Sequence, residues 1–299
     1  MDTKQLATFV MLTEEKTYAR AAARLNYAPA TMAAHMKALE NELGARLFCR
    51  TGKQSTLTPQ GEAFLQYARK MLALQQQAVD DMHAGDKQRK ALRVATAESL
   101  GHYALLALFR HFATEHGSCE MQVRVGNCAE FLRQLTDNQI DLAYIYSTDP
   151  VSAPHVRCTP LYEEKICILS HPQHPLARKA AVCARDLADQ HFSFTYGNCC
   201  YTMAFLRQLQ QQDVELKNVD YLGNVEMIKR CVLDNYGIAL LPDCATREER
   251  VSGRMVELAW AGEPLRVRAQ ALSRAGMRPN GYAARLLACT SQYFAEREA

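Results

Sequence analysis

Six hydroxyl and amide side chains recur in this sequence where an apolar, strand-like run ends and a helical run begins. They are Thr96 and Ser99 in "TAES", Asn127 in "GNC", Thr195 and Thr202 at the ends of "TYGNCCYT", and Asn224 in "GNVE". Open α/β sheets take ligands beyond the carboxyl ends of their strands, and helix N-termini there favour anions, carboxylates above all. Singly, each residue reads equally well as a helix cap. As a set they read as the polar lining of one pocket for a small polar or anionic molecule.

Two adjacent thiols, Cys199 and Cys200, stand in the same "TYGNCCYT" loop, ahead of a helical run. A helix N-terminus lowers a thiol's pKa, so this pair is a candidate redox site. The plainer reading, two small residues lining a pocket, carries more weight. A disulfide between chain neighbours is strained, so an oxidised partner would come from elsewhere. The remaining nine of eleven cysteines, Cys49 among them, read as apolar filler and free thiols in a reducing compartment. His171 and His174 in "HPQHP" have a loose metal-like spacing, but prolines flank the second and no third ligand is evident. No metal or cofactor is therefore expected. G-x-S-x-G, P-loop and H-E-x-x-H patterns are absent, which argues against an enzyme.

A different chemistry gathers at the N-terminus. Residues 1–70 hold ten Lys and Arg against six Asp and Glu, a net +4, while the whole chain carries +3. The excess positive charge is thus all N-terminal, as expected of an end that meets a polyanion. Arg46, Arg50 and Lys53 cluster in "ARLFCRTGK", which reads as a strand and a turn, with "TLT" as the return strand. Such a basic wing suits phosphate contacts.

The elements before the wing read as three short helices. Leu6, Phe9 and Val10 mark a one-faced helix; Thr17 caps a second with Ala21, Ala22 and Leu25; Pro29 opens a third carrying Met32, Met36, Leu39 and Leu43, which Gly44 ends. Small residues Ala19, Ala22 and Ala23 let the second and third helices approach closely. That is a helix-turn-helix, whose second helix enters the major groove. The bland alternative is a three-helix core with a solvated basic hairpin.

The segments "LATFV", "TYARAAARLN", "MKALENELGARLFCRTGK" and "LTPQGE" make this region resemble the DNA-binding domain of LysR-type transcriptional regulators, unbroken from about Gln5 to Phe64. The resemblance implies that Thr17, Tyr18 and Arg20 lie near the DNA backbone. It also implies that Pro29, Ala30, Ala33, Ala34 and His35 lie on the recognition helix. Here the sequence departs from the family, which usually carries Ser and Gln near positions 28 and 29, Pro at 30 and Ser-Arg at 33 and 34. Alanines touch thymine methyls but make no bidentate bonds to base edges. Base reading is then expected from Thr31 and His35, with more weight on DNA shape, and phosphate contacts from Lys37 and the wing.

Beyond Thr58 and Pro59 a long helix is expected to run to about His83, with Leu65, Ala68, Leu72, Gln75, Val79 and Met82 as a coiled-coil seam for a second chain. The alternative is an amphipathic helix lying on its own domain. The remaining sequence alternates strand and helix twice over, from "ALRVATAES" to "IDLAYIY" and from "YEEKICILS" to "GIALLPD". Two α/β units with a cleft between them are expected, built on parallel sheet. The resemblance places an effector pocket at the six polar turn residues.

The expected domains are a winged helix-turn-helix over 1–58, a linker and dimerisation helix over 59–90, and an effector-binding domain over 91–299. That last domain resembles a periplasmic-binding-protein fold, with subdomain I at about 91–161 and 267–299 and subdomain II at about 162–266. The expected function is sequence-specific, effector-modulated regulation of transcription by a homodimer or homotetramer on double-stranded DNA. "MDTKQLATFVM" carries no signal-peptide pattern and no apolar run spans a bilayer, so a cytoplasmic protein without membrane contact is expected. Two other readings are a redox-sensing regulator using Cys199 or Cys200, and a cytosolic small-molecule binding protein or enzyme.

Overall fold

Caps and one-sided apolar spacing set the first three helices. Asp2 accepts the Gln5 amide and Gln5 accepts the Asp2 amide, a reciprocal cap that starts α1 (Thr3–Glu15). Thr17 caps α2 (Tyr18–Leu25), and Asn26, left-handed at φ 53°, ends it. Pro29 opens α3 (Pro29–Leu43), and Gly44 closes it at φ 64°. Leu6, Phe9, Leu12, Ala21, Ala22, Met32, Met36 and Leu39 bury against one another as a single core. Strands β1 (Phe48–Thr51) and β2 (Gln54–Leu57) pair antiparallel as the wing. Glu40 of α3 accepts the Leu47 amide at 2.7 Å, which ties the wing to that helix.

This computed structural model describes residues 1–51, 54–82, 91–117, 119–277 and 281–298. The chain divides into two units, Met1–Arg89 and Lys90–Ala299. The first ends in α4 (Pro59–Met82). Phe64, Leu65, Ala68, Met71 and Leu72 of α4 pack onto the three-helix core. This corrects the expected seam: Leu65, Ala68 and Leu72 serve the helix's own domain, because their face already has an apolar partner there. Gln75 donates to Thr3 Oγ1 at 3.4 Å, and the side chains of Val79 and Met82 lie outside the described residues. Among the described side chains of α4, the large apolar ones left to solvent are Tyr67 and Leu74, 54% and 66% exposed and seven positions apart.

The second unit is a nine-stranded sheet with strand order β4-β3-β5-β11-β6-β9-β7-β8, and β10 beside β6. Its first half holds β3 (Ala91–Thr96), α5 (Leu106–Glu115), β4 (Glu120–Val125), α6 (Cys128–Thr136) and β5 (Leu142–Ser147). Then β6 (Val156–Ser170) leads to α7 (Ala184–Leu187), β7 (His191–Phe194), α8 (Cys200–Gln210), β8 (Asn218–Tyr221) and α9 (Val225–Leu233). The chain closes with β9 (Ile238–Pro242), α10 (Asp243–Val251), β10 (Val256–Glu257), β11 (Arg266–Arg274) and α11 (Tyr282–Glu298). Parallel pairing holds within β4-β3-β5 and within β9-β7-β8, as the strand-helix alternation predicts. Between these two sets the sheet is antiparallel, through β11 and β6. Strand β6 pairs with β11 over residues 156–165 and with β9 over 166–169, so one strand belongs to both halves.

Between β3 and α5 the residues Leu100–Leu105 form a π-helical turn, which the sequence pattern does not foretell. Gly101 makes it possible, since a Cβ there would lie 2.4 Å from Thr96 Cγ2. A second tight approach governs the first unit. A Cβ on Gly61, in the first turn of α4, would lie 2.1 Å from the Leu47 carbonyl oxygen and 2.9 Å from Leu57 Cδ2. Helix propensity alone favours alanine there by about 1 kcal/mol. The backbone clash wins, so Gly61→Ala is expected to destabilise the protein by about 2 kcal/mol. Urea unfolding followed by helical circular dichroism measures this, and a raised midpoint would refute the close contact.

Candidate nucleic-acid interface and ligand cleft

The turn from α2 to α3 is short because Asn26 and the Pro29 start reverse the chain within three residues. Helix α3 buries Met32, Met36 and Leu39. Its opposite face exposes Pro29, Ala30, Ala33, Ala34, Lys37 and Ala38. Thr31 and His35 sit half-buried at the flanks. His35 is less available than expected: its Nδ1 lies 3.0 Å from the hydroxyl of fully buried Thr8, and its ring meets Tyr27 edge-on at 5.5 Å. Thr17 Oγ1 accepts the Arg20 amide at 3.4 Å. Tyr18 packs against the core. Arg20 and Arg24 both reach Glu15, at 3.1 and 3.5 Å, so these exposed guanidinium groups share one carboxylate. Arg46, on the wing side, contacts Glu40 at 3.5 Å. Arg50 falls in β1 but its side chain, like all of Lys53, lies outside the described residues.

In the second unit the six polar turn residues divide into three pairs. Asn127 caps α6 through the Ala129 amide at 3.0 Å, and its Nδ2 donates to Asn198 Oδ1 of the other half at 3.0 Å. Asn224 caps α9 through the Met227 amide at 2.9 Å, and its Nδ2 donates to Glu98 Oε1 at 2.9 Å. Both asparagines are therefore caps and also bridges between the two halves. Thr195 and Thr202 flank the start of α8: Thr195 bonds the Tyr201 hydroxyl at 3.2 Å, while buried Thr202 Oγ1 has no hydrogen-bond partner among the described residues. Thr96 and Ser99 are buried beside the π-helical turn, and Thr96 donates to the Ala97 carbonyl at 3.1 Å. Thr96 is thus engaged with the turn itself, where its methyl group packs against Gly101.

Glu98 is the residue that sequence reasoning missed. Its two oxygens each lie 3.2 Å from the Val225 amide at the first turn of α9. A carboxylate of one half thus occupies the electropositive helix end of the other. Its only signal in the sequence was its place inside "TAES". Tyr103, in the π-helical turn, crosses the same boundary: its hydroxyl donates to Glu226, and Lys229 Nζ sits 5.1 Å from its ring centre. Burial pulls the Lys229 ammonium pKa down, but Glu249 at 2.8 Å and Glu226 at 3.1 Å outweigh it and leave it raised.

Among the thiols, Cys199 is the N-cap residue of α8, without a side-chain cap bond. Its pKa is lowered by the Cys200 thiol first, then by the hydroxyls of Tyr201 and Thr195 and the Thr202 amide, against its burial. Cys200 is raised by the same contact with Cys199, and its thiol donates to the Tyr146 carbonyl at 3.4 Å. Cys128, expected to be filler, joins them: burial and then the nearby Cys199 push it up to about 12. His171 and His174 accept amides of their own loop, from Gln173 and Leu176. Among the described residues no group of three His, Cys, Asp or Glu is placed to hold a metal ion, and no helix is long and apolar enough to cross a membrane.

Comparison with known proteins supplies the family. Residues 3–62 match the bacterial regulatory helix-turn-helix protein model of the lysR family, and residues 85–295 match the LysR substrate binding domain. The chain belongs to the LysR family. It is 28% identical over 266 residues to YwqM, an uncharacterised HTH-type transcriptional regulator of Bacillus subtilis, covering 88% of this chain and 89% of that one. Its fold is shared with ArgP of Mycobacterium tuberculosis (TM-score 0.70, 18% identity, 98% and 97% of the two chains covered). It is shared as well with LysG of Corynebacterium glutamicum, solved with bound effector Arg (TM-score 0.63, 19% identity, 99% of each chain). The protein is thus a LysR-type DNA-binding transcriptional regulator with an N-terminal helix-turn-helix and a C-terminal effector-binding domain, in a family of regulators and not of enzymes.

The Glu98 contact has a pH signature. Burial holds its carboxyl above the ordinary 4.5, against the Val225 amide and His102, which lower it. A carboxyl raised in the fold contributes stability that is present below the unfolded value and lost as pH rises through the folded one. Glu98→Gln is therefore expected to match the parent near pH 4 and to be the more stable protein near pH 7. Urea midpoints at the two pH values test it; a less stable variant near pH 7 would mean that the bonds to Asn224 and Val225 outweigh burial.

Proposed function

We propose that this regulator binds double-stranded DNA by seating α3 in the major groove, and that a small molecule in the cleft of the second unit modulates that binding. The observation that carries the reading is the pair of polar bridges across the cleft, Asn127 to Asn198 and Asn224 to Glu98. A ligand with complementary polar groups would replace them and shift the balance between open and closed halves, because it binds one state better. Thr195, Ser99 and unpartnered Thr202 are the groups we assign to the ligand, with Asn127 and Asn224 at its edges. The start of α9 already holds the Glu98 carboxylate. An anionic effector would therefore displace Glu98 or settle at α8. DNA affinity and effector affinity are then coupled reciprocally.

On the DNA side we assign phosphate contacts to Thr17, Tyr18, Arg20, Lys37, Arg50 and Lys53, and groove contacts to Pro29, Ala30, Thr31, Ala33 and Ala34. His35 keeps Nε2 for such a contact, since Nδ1 is engaged. Two copies would pair through α4, by the exposed stripe of Tyr67 and Leu74, as a homodimer or a pair of dimers acting in the cytoplasm.

A second reading is favoured by Cys199 alone. With its pKa lowered beside Cys200 and Cys128, its thiolate is set to attack a hydroperoxide. The O–O bond breaks, water or an alcohol leaves, and a sulfenic acid remains; a second thiol attacks it, forming a disulfide and releasing water. Thiol labelling before and after mild peroxide separates this reading from ligand sensing. Loss of two labelled thiols per chain, with altered DNA binding, supports it.

Two substitutions test the main reading. Arg50→Ala is expected to weaken binding to all sequences and reduce the salt slope by about one counterion; an unchanged slope removes Arg50 from the phosphate contacts. Thr202→Val deletes a hydroxyl that bonds nothing among the described residues. It is expected to stabilise the protein by up to about 1 kcal/mol, spare basal DNA binding and blunt the response to effector. A panel of small carboxylates and amines, read by thermal shift and then by DNA binding, supplies the effector. An intact response in the variant would move the ligand away from α8.

A further inference from the structure

We infer that this regulator reads its operator through thymine methyl groups, with Ala30, Ala33 and Ala34 as the specificity-determining residues. The inference rests on the proposed seating of α3 in the major groove. Ala30, Ala33, Ala34, Lys37 and Ala38 follow the i, i+3, i+4, i+7, i+8 spacing of one helix face, and all five are exposed. Residues near the N-terminus of a recognition helix are those that reach base edges. Here that part of the face carries only methyl groups. Two side chains with polar atoms flank it, and neither is fully available. Thr31 is half-buried. His35 holds its Nδ1 against Thr8 at 3.0 Å and its ring against Tyr27. Lys37 stands about 10 Å further along the helix axis than Ala30, at 1.5 Å per residue, which puts its ammonium toward the groove wall.

The chemistry of the groove then decides the preference. Each base presents donors or acceptors in the major groove, and only thymine adds a hydrocarbon, its C5-methyl. A polar edge pressed against an alanine loses water and gains no bond, which is costly. A thymine methyl against the same alanine gains apolar contact. Short side chains also let the helix backbone come close to the groove floor, so the contact is tight. Removing one buried methyl weakens such a contact about fourfold. A site with one contact in each of two half-sites should lose roughly tenfold or more on losing both methyls.

The test uses the full-length chain. Duplexes are selected from a random library built with thymidine, and the enriched sequence is remade with deoxyuridine in its place. The expected result is binding weakened tenfold or more with an unchanged salt slope, since phosphates are untouched. A further duplex carries 5-methylcytosine where a thymine has been exchanged for cytosine; the restored methyl should recover part of the lost affinity. Ala33→Gly should shrink the preference for thymine over uracil, whereas readout of duplex shape would leave that preference intact. Equal affinity for the two duplexes overturns the inference. So does strong weakening by 7-deazaguanine, which would assign readout to a hydrogen-bond donor such as Lys37. If no sequence is enriched at all, the seating of α3 in the groove falls, and the inference with it.

Discussion

The Ile166 amide donates to the Leu265 carbonyl at 2.9 Å, where the chain passes from one half of the effector-binding domain to the other and back. Strand β6 makes this crossing and belongs to both halves. On one side β6 and β11 pair with each other, and on the other β6 pairs with β9. Two adjacent extended segments bend more easily than two packed helices, because little apolar surface must be re-packed when they twist. One buried cluster runs through both halves, from Val94 and Tyr144 to Phe192 and Leu240, and a smaller one belongs to each: Phe131, Leu135 and Ile140 gather in the first, Val225, Ile228 and Val232 in the second. Two of the contacts between the halves, Asn127 with Asn198 and Asn224 with Glu98, are polar, and such contacts exchange readily for bonds to water or a ligand.

The helix-turn-helix unit obeys a different constraint. Alanines at Ala21 and Ala22 are fully or almost fully buried, so α2 lies close to its neighbours, and Phe9 fills the centre against Phe48 and Phe64. The wing is fastened to this core by Glu40, which accepts two successive amides, Leu47 and Phe48. A carboxylate used for this purpose fixes the angle between α3 and the basic strand. The charge of the unit is accordingly not all available to a partner: Arg20 and Arg24 divide Glu15, and Arg46 faces Glu40. Exposed pairs of this kind contribute little to stability and are easily traded for phosphate.

Local signals in the sequence were sufficient for most elements. Pro29, Gly44, Thr17 and the apolar spacing of α3 are strong because each acts within one turn of helix. Asn127 and Asn224 were legible for the same reason, since an N-cap needs only its own next three residues. What escaped depends on residues far apart in the chain. Glu98 meets Asn224 across 126 positions, and His35 meets Thr8 across 27. The antiparallel junction in the sheet escaped because a buried strand reads alike whichever way its neighbour runs. The packing of α4 on its own unit escaped because Leu65, Ala68 and Leu72 satisfy the heptad spacing and the intradomain core equally well.

The starts of α8 and α9 show how one device can be put to two uses. The first-turn amides of both helices lack partners within the helix and carry a partial positive charge. At α9 the charge is met by Glu98, a carboxylate built into the chain, and the helix end is satisfied without any ligand. At α8 it is met by a cysteine, which becomes a comparable anion only by losing its proton. Of the two ends, α8 is therefore the one whose occupancy depends on the surroundings: on an incoming anion, or on the thiol's own state. The proposed ligand reading and the redox reading are, on this view, two chemistries competing for the same few amides.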